Sequence, residues 1–337
     1  MCLFDIDVTP RCVGLIKQNG LTSPAYSQFV MRENANAAFY CYYYTMLDMD
    51  KTLLHLAKNL RHSLTEDQLG AIPAIVPPLD EQQRIADFLD AKCAEIDSLA
   101  ADIQSQIDTL EQYKRSVITE AVTKGLNPNA EMKDSGVKWI GTMPSSWRCI
   151  RGKYILTYVQ KPIREDDGVV TCFRDGEVTL RTKRREDGFT MADKEIGYQG
   201  IDVGDLVVHG MDGFAGAIGI SDSRGKASPV LNVLDTKQNK RYIMYYLRNM
   251  AYGDVFIAMA TGIRVRSCDL RWNKLSELPY PVPSIQEQQK IVEYIDDMID
   301  KTNAVIADKQ SQLATLDEYK KSLIYEYVTG KKEVSVS

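Results

Sequence analysis

The chain has 337 residues, 41 Lys and Arg against 46 Asp and Glu, a formal net charge of −5, and 44% apolar and 26% charged residues. That composition fits a globular protein long enough for two domains or two copies of one; it excludes a transmembrane protein, since no apolar run approaches the about 20 residues a span needs. The start carries Asp5 and Asp7 without a basic stretch, which argues against a secretory signal, and seven irregularly spaced cysteines form no Cys-x-x-Cys pair, so reduced thiols in a cytoplasmic protein are expected.

Residues 1–72 hold a strand-like Val13-Gly14-Leu15-Ile16 and a tyrosine-rich stretch. From Asp80 to Lys124 neither Pro nor Gly interrupts the chain, and Gly125 follows as a C-cap. This predicts a helix of roughly 65 Å at 1.5 Å per residue. Prolines 77 and 78 precede it, Asp80 is the candidate N-cap, and Glu81 suits the first turn. A seven-residue repeat of Leu89, Ile96, Ile103, Leu110 and Val117, flanked by Ile85, Leu99, Ile107 and Tyr113, makes an apolar stripe for pairing with another helix.

Residues 126–143 read as a polar linker ending in Trp139-Ile-Gly-Thr-Met-Pro144. Residues 144–277 are rich in Gly and short alternating runs, such as Asp205-Leu-Val-Val-His209 and Ala217-Ile-Gly-Ile220, and read as strands. Residues 241–252 read as an amphipathic helix. A second long helix follows, with Ser284 as N-cap candidate and Ile295, Ile299, Ile306, Leu316 and Leu323 as pairing residues.

The second long helix is a copy of the first. Residues 72–124 lie over 278–330 at a constant offset of 206 without a gap. Pro77, Glu81-Gln82-Gln83, Ile85, Gln104-Ser105-Gln106, Tyr113-Lys114 and Ser116 recur as Pro283, Glu287-Gln288-Gln289, Ile291, Gln310-Ser311-Gln312, Tyr319-Lys320 and Ser322. Thr302 and Lys309 replace Ile96 and Ile103, while Ile299 and Ile306 replace Cys93 and Ala100. One helix is bulky where its copy is small, which suits the two packing on each other. The globular segments repeat more weakly: Val13-Gly14-Leu15 resembles Ile218-Gly219-Ile220, and Tyr40, Tyr43 and Tyr44 match Tyr242, Tyr245 and Tyr246. On that alignment Met1 falls on Leu206, so the first globular part is expected to lack about half of the second's length.

Together the twice-used Pro-x-Pro and Glu-Gln-Gln start, the twice-used Tyr-Lys-(Arg/Lys)-Ser, and the bridge from Asp134 to Trp147 resemble the DNA-specificity subunit of type I restriction–modification enzymes. The resemblance implies an α+β protein: mixed α/β target recognition domains separated by two long antiparallel coiled-coil helices, with an internal pseudo-two-fold repeat. It implies a partial first recognition domain (1–72), a first spacer helix (73–125), a linker (126–143), a second recognition domain (144–278), a second spacer helix (279–330) and a tail (331–337). The implied job is to read two halves of a split double-stranded DNA site through the major groove. The helices set the spacing and dock two methyltransferase subunits, and the motor-nuclease subunit joins through that complex. No catalytic residue, cofactor, metal or membrane contact is implied. The shortened first domain leaves the second half-site better read, and a truncated assembly scaffold or silent recombination cassette as the alternative.

Charge is uneven along the chain. Residues 144–277 carry 21 Lys and Arg against 17 Asp and Glu, a net +4, whereas 80–123 carry 4 against 10 and 284–329 carry 5 against 9. Base and phosphate contacts need such donors. The densest cluster is Arg181, Lys183, Arg184 and Arg185; a second is Arg264, Arg266, Arg271 and Lys274; Lys161 and Arg164 flank a proline loop. A run of this kind is often only a solvated loop. His209 reads as a turn residue. Asn127-Pro128-Asn129 lacks the second proline and aromatic residue of an amino-methyltransferase motif, no phosphate loop is present, and Glu131-Met-Lys133 sits in the linker.

Overall fold

A computed structural model describes residues 2–5, 12–23, 26–57, 64–184, 196–259 and 270–335. In chain order the elements are β1 (Cys2–Asp5), β2 (Val13–Leu15), β3 (Tyr26–Phe29), α1 (Ala37–Met49), α2 (Thr52–Leu56), α3 (Glu66–Gly70) and α4 (Leu79–Lys124). There follow β4 (Met132–Asp134), β5 (Thr142–Pro144), β6 (Arg148–Arg151), β7 (Leu156–Val159), β8 (Val170–Cys172), β9 (Val178–Leu180), α5 (Arg181–Arg184) and β10 (Gln199–Ile201). Then come β11 (Leu206–His209), β12 (Ile218–Ile220), β13 (Gly225–Ala227), β14 (Leu231–Thr236), α6 (Lys240–Tyr252), α7 (Val255–Ala258), α8 (Trp272–Leu275), β15 (Pro279–Val282) and α9 (Ile285–Val328). The class is α+β. No helix among the described residues is long and apolar enough to cross a membrane.

The chain divides into two compact units: residues 1–108 with 305–337, and residues 109–304. The division cuts both long helices, so each unit holds one globular part and a portion of α4 and α9.

In the first unit β2, β1 and β3 form an antiparallel sheet in that order. Phe39, Tyr40, Tyr43 and Met46 of α1 pack on Ile85, Leu89, Cys93 and Ile96 of α4 and on Leu323, Ile324 and Val328 of α9. Lys320 bonds Asp97 at 2.6 and 2.7 Å, and Lys309 bonds Gln106. As one number rises the other falls, so the helices are antiparallel within this unit.

In the second unit the sheet order is β12-β11-β14-β7, all antiparallel, with two-stranded pairs β10-β13, β8-β9, β15-β6 and β4-β5. Successive strand residues point to opposite faces. Leu206 and Val208 of β11 face α6 and the long helices, in a core with Tyr242, Tyr246, Leu247, Ile118, Val122, Ile291 and Ile295. Val207 and Val233 face a second core of Val170, Cys172, Val178 and Ile201. Both faces are covered, so the run Leu-Val-Val is apolar throughout.

The three strands β2-β1-β3 repeat β12-β11-β14. Cys2 pairs with Leu15 and Phe29, as Leu206 pairs with Ile220 and Leu234. Cys2, and not Met1, therefore occupies the place of Leu206. Helices α1 and α6 are each 13 residues long, and each is capped by an asparagine, Asn36 and Asn239. That register matches Tyr42 with Tyr245 and Tyr43 with Tyr246. The tyrosine alignment read from the sequence was one residue out, because adjacent tyrosines let a one-residue slip keep the same letters.

Other expectations also change. Asp80 lies inside the first turn of α4, which starts at Leu79, and bonds Arg84 instead of capping. Ser284 does cap, its Oγ accepting from Glu287 N at 3.3 Å. Gly125, with φ 73°, ends α4 as expected. Leu99 is 50% and Tyr113 45% exposed, so neither completes the pairing stripe. Leu110 and Leu316 are only half-buried. Cys93 and Ile96 pack on the far end of α9, while Ile299, the copy of Cys93, packs in the other unit's core. An antiparallel pair puts each residue opposite a different part of its copy's helix, so bulky and small copies do not meet. The linker is not featureless. Its β4 and β5 pair across a turn at Asp134-Ser-Gly136, and Trp147 is buried, its Nε1 donating to Glu287 at 3.0 Å.

Candidate nucleic-acid interface and the repeated joint

Arg181, Lys183 and Arg184 form α5, directly after β9. Each side chain has partners. Arg181 Nε donates to Thr171 Oγ1 at 2.9 Å. Lys183 Nζ reaches Asp222 at 3.3 Å and Ser223 at 2.8 Å, with half its side chain exposed. Arg184 lies 4.1 Å over the Phe173 ring and bonds Asp175 and Glu177. Its guanidinium holds the Asp175 carboxyl below the usual carboxylate range. Arg185, Arg264 and Arg266 lie outside the described residues.

Lys161, like Arg184, is held in an ion-pair network within the chain. Its ammonium bonds Asp202 at 2.8 Å and Asp205 at 2.5 Å. Partial burial works against its charge, but the two carboxylates outweigh that and raise its pKa. Arg164 is exposed, and its backbone N donates to Asp167 at 2.8 Å. Arg271 is the N-cap residue of α8, and Lys274 is exposed in its last turn. His209 Nδ1 accepts from the N–H groups of Met211 (3.2 Å) and Asp212 (2.9 Å), and burial lowers its pKa. That makes it a neutral turn residue.

Isolated arginines that form no run escaped the sequence reading. Arg224 bonds Asp167 and Asp202. Arg174 and Arg248 line a cleft of about 550 Å³ in the second unit, together with Glu111, Lys114, Arg115 and Asp175. A single arginine between unlike neighbours carries no pattern that would single it out.

The Glu-Gln-Gln repeat has a clear structural role. Gln288, fully buried, accepts the Asn239 N–H at 2.9 Å and donates to Gln238 (2.7 Å) and to the Pro283 carbonyl (3.0 Å). Gln82, also fully buried, accepts the Asn36 N–H at 2.8 Å and donates to the Pro77 and Asn34 carbonyls. Asn36 and Asn239 each return a side-chain bond to the next glutamine, Gln83 and Gln289. Tyr42 donates to Asp90 at 2.7 Å, and Tyr245 donates to Asp296. Burial first, then these carboxylates, push both phenols up. Tyr43 and Tyr246 donate to the Pro73 and Pro279 carbonyls. Each unit thus fastens the capped start of its helix, α1 or α6, to the first turns of a long helix by one set of bonds. The repeated lysines Lys114 and Lys320 bond across the helix pair, to Asn303 and Asp97, and so are engaged within the chain.

Two long helices, antiparallel within the first unit, and an α/β part fastened to a long helix in each unit make a two-part α+β architecture. Residues 16–109 match the type I restriction modification DNA specificity domain. A putative type I restriction enzyme specificity subunit, MjaX of Methanocaldococcus jannaschii, is 31% identical over 88 residues, 26% of this chain and 19% of that protein. The MjaVIII specificity subunit of the same organism is 31% identical over 81 residues, 24% of this chain and 17% of its own length. The matches thus span about a fifth of these relatives. A chain from a structure described as the structural basis underlying complex assembly and conformational transition of the type I R-M system shares the fold, with a TM-score of 0.69 at 14% identity, over 97% of this chain and 81% of that one. The family resemblance thus lies in residues 16–109, and the fold over most of the chain is that of the type I R-M structure.

Proposed function

We propose that the chain is the DNA-reading subunit of a type I restriction–modification complex and contributes no catalytic centre of its own. Its globular parts, residues 1–72 and 144–278, each read part of a split double-stranded site in the major groove. The spacer helices, 73–125 and 279–330, set the distance between the parts and dock methyltransferase subunits, through which a motor-nuclease subunit joins. Residues 126–143 connect the halves, and 331–337 form a tail. One observation carries this reading: the joint that fastens a capped helix to a long helix is built twice from the same residue types, so whatever one part does, the other is mounted to do as well. Lys161, Arg164, Arg181, Lys183, Arg184, Arg271 and Lys274 are the proposed DNA donors among the described residues, with Arg185, Arg264 and Arg266 beside them in sequence. Several sit in surface ion pairs, which are worth about 0–1 kcal/mol and are readily exchanged for phosphate.

The test is selection of bound duplexes from a randomised pool by the chain assembled with methyltransferase subunits. Two fixed motifs separated by a constant unread gap support the reading. Binding without sequence preference overturns it and leaves the assembly-scaffold alternative.

A further inference from the structure

The two units share a three-stranded sheet but differ in what lies against its edge. In the second unit residues 148–159 run in one stretch through β6, Gly152 and β7, and they are seated twice. Arg148–Arg151 pairs with Pro279–Val282 of β15, and Leu156–Val159 pairs with residues 233–236 of β14. The seat is close: a Cβ on Gly152 would lie 2.4 Å from the Leu275 carbonyl oxygen and 2.9 Å from the Tyr280 ring. Ile155 and Leu156 of this stretch are buried in the core.

The first unit has both walls of this seat and, among the described residues, no strand in it. β3 repeats β14, but it pairs with β1 alone. Residues 73–76 repeat β15: Tyr43 and Tyr40 of α1 donate to the Pro73 and Ile75 carbonyls, as Tyr246 and Tyr242 donate to those of Pro279 and Pro281. Backbone groups alternate sides along an extended chain, so those of Ala74 and Val76 face away from α1. Residues 73–76 are all exposed, Val76 at 61%, whereas Tyr280 and Pro281 are buried and Pro279 and Val282 half-buried. Between the walls lies a groove of about 400 Å³, lined in part by Phe29, Met31, Tyr40, Leu69, Ala74 and Val76. Ala74 stands where the second unit has the fully buried Tyr280, which leaves space for a ring.

We infer that this groove seats an extended segment of a separate polypeptide, which pairs with β3 and with residues 73–76 as 148–159 pairs in the second unit, and which brings a large apolar side chain opposite Ala74. An open strand edge is a template for a further strand. Strand addition takes its affinity from main-chain hydrogen bonds and its specificity from alternate side chains. The inference rests on the repeat within the chain and not on DNA reading.

The probes are a synthetic peptide of residues 148–159 and the same peptide with Ile150→Trp, because Ile150 pairs with Tyr280, the counterpart of Ala74. Hydrogen exchange of the full chain should slow across residues 26–31 and 73–76 when the Trp peptide is added. That peptide should bind at least about tenfold more tightly than the unmodified one. Ala74→Tyr fills the space for the ring and should reverse the preference. Ala74 is exposed, so circular dichroism and Tm of this variant should match the wild type. The assignment is overturned if neither peptide slows exchange in either stretch, if slowing is confined to the second unit, or if Ala74→Tyr leaves the preference unchanged. Slowing that grows with the concentration of the chain alone would make a second copy the occupant, and would overturn it as well.

Discussion

Replacing Gln288 by alanine would test the joint directly. The side chain is fully buried and makes three hydrogen bonds, to the Asn239 N–H, Gln238 Oε1 and the Pro283 carbonyl. Each bond contributes about 1 kcal/mol net, and a buried donor or acceptor left without a partner costs about 1–3 kcal/mol. Alanine leaves the Asn239 N–H and the Pro283 carbonyl without Gln288, and water can enter to replace part of what is lost. A net cost of about 3 kcal/mol follows, or roughly a hundredfold more frequent opening of the joint. A chain of two units need not unfold in one step, so the measurement should be local. Hydrogen exchange at the Asn239 amide, the group that Gln288 accepts, reads the joint itself. Gln82→Ala should act alike on the Asn36 amide, which donates to Gln82 at 2.8 Å. Gln289 is exposed, and its bonds from Asn239 Nδ2 and to Glu293 both lie in solvent, so Gln289→Ala should cost about 0.5 kcal/mol. Equal exchange in Gln288→Ala and Gln289→Ala would refute the reasoning.

Three further outcomes are expected. A Cβ at Gly219 would lie 2.0 Å from the Gly176 carbonyl oxygen and 2.8 Å from Val178, whereas one at its counterpart Gly14 meets nothing within 4 Å. Gly219→Ala should therefore lower Tm by many degrees and Gly14→Ala should not; equal melting would show the two strands to be packed alike. Burial pushes the Cys172 thiol up to about 12, so iodoacetamide at pH 8 should leave Cys172 unmodified in the folded chain and label it in urea. Rapid labelling without urea, read by peptide mapping, would count against that core. Burial alone would raise the Asp167 carboxyl, but the Arg164 N–H and the Arg224 guanidinium outweigh it and hold it below its ordinary 3.8. A lowered carboxylate stabilises the fold fully above its unfolded pKa, and that stability is lost as pH falls through the folded value. Asp167→Asn should thus flatten the acid limb of the stability curve; an unchanged limb would exclude Asp167 as its source.

Much of the scaffold was legible because its signals are periodic. Leu89, Ile96 and Ile103 announce a buried helix face, Gly125 marks its end, and an ungapped duplication reports a second copy. The polar part of the joint was legible as a repeated motif. What escaped depends on facing partners. Leu99 and Tyr113 fit an apolar stripe by spacing, yet they lie on its flank in solvent. Lys161 looks like a free cation until Asp202 and Asp205, some forty residues on, fold back onto it. The tyrosine register slipped because identical letters sit side by side; the asparagine caps fix it, and the bond from Tyr42 to Asp90, repeated by Tyr245 and Asp296, agrees.

The exchange of bulk between the long helices bears on how such a chain can change. Cys93 with Ile96 became Ile299 with Thr302: one large and one small side chain, seated in reverse order. Cys93 and Ile96 are both buried, as is Thr302, and Ile299 packs beside Ile295. In a close-packed interior the volume summed over neighbouring seats matters more than the identity at any one of them. Cys93→Ile alone should overfill its layer, and Ile96→Thr alone should leave a void, while the two together reproduce a combination that the chain already carries one repeat further on. Mutational paths through these helices are therefore epistatic, with substitutions tolerated in pairs three residues apart.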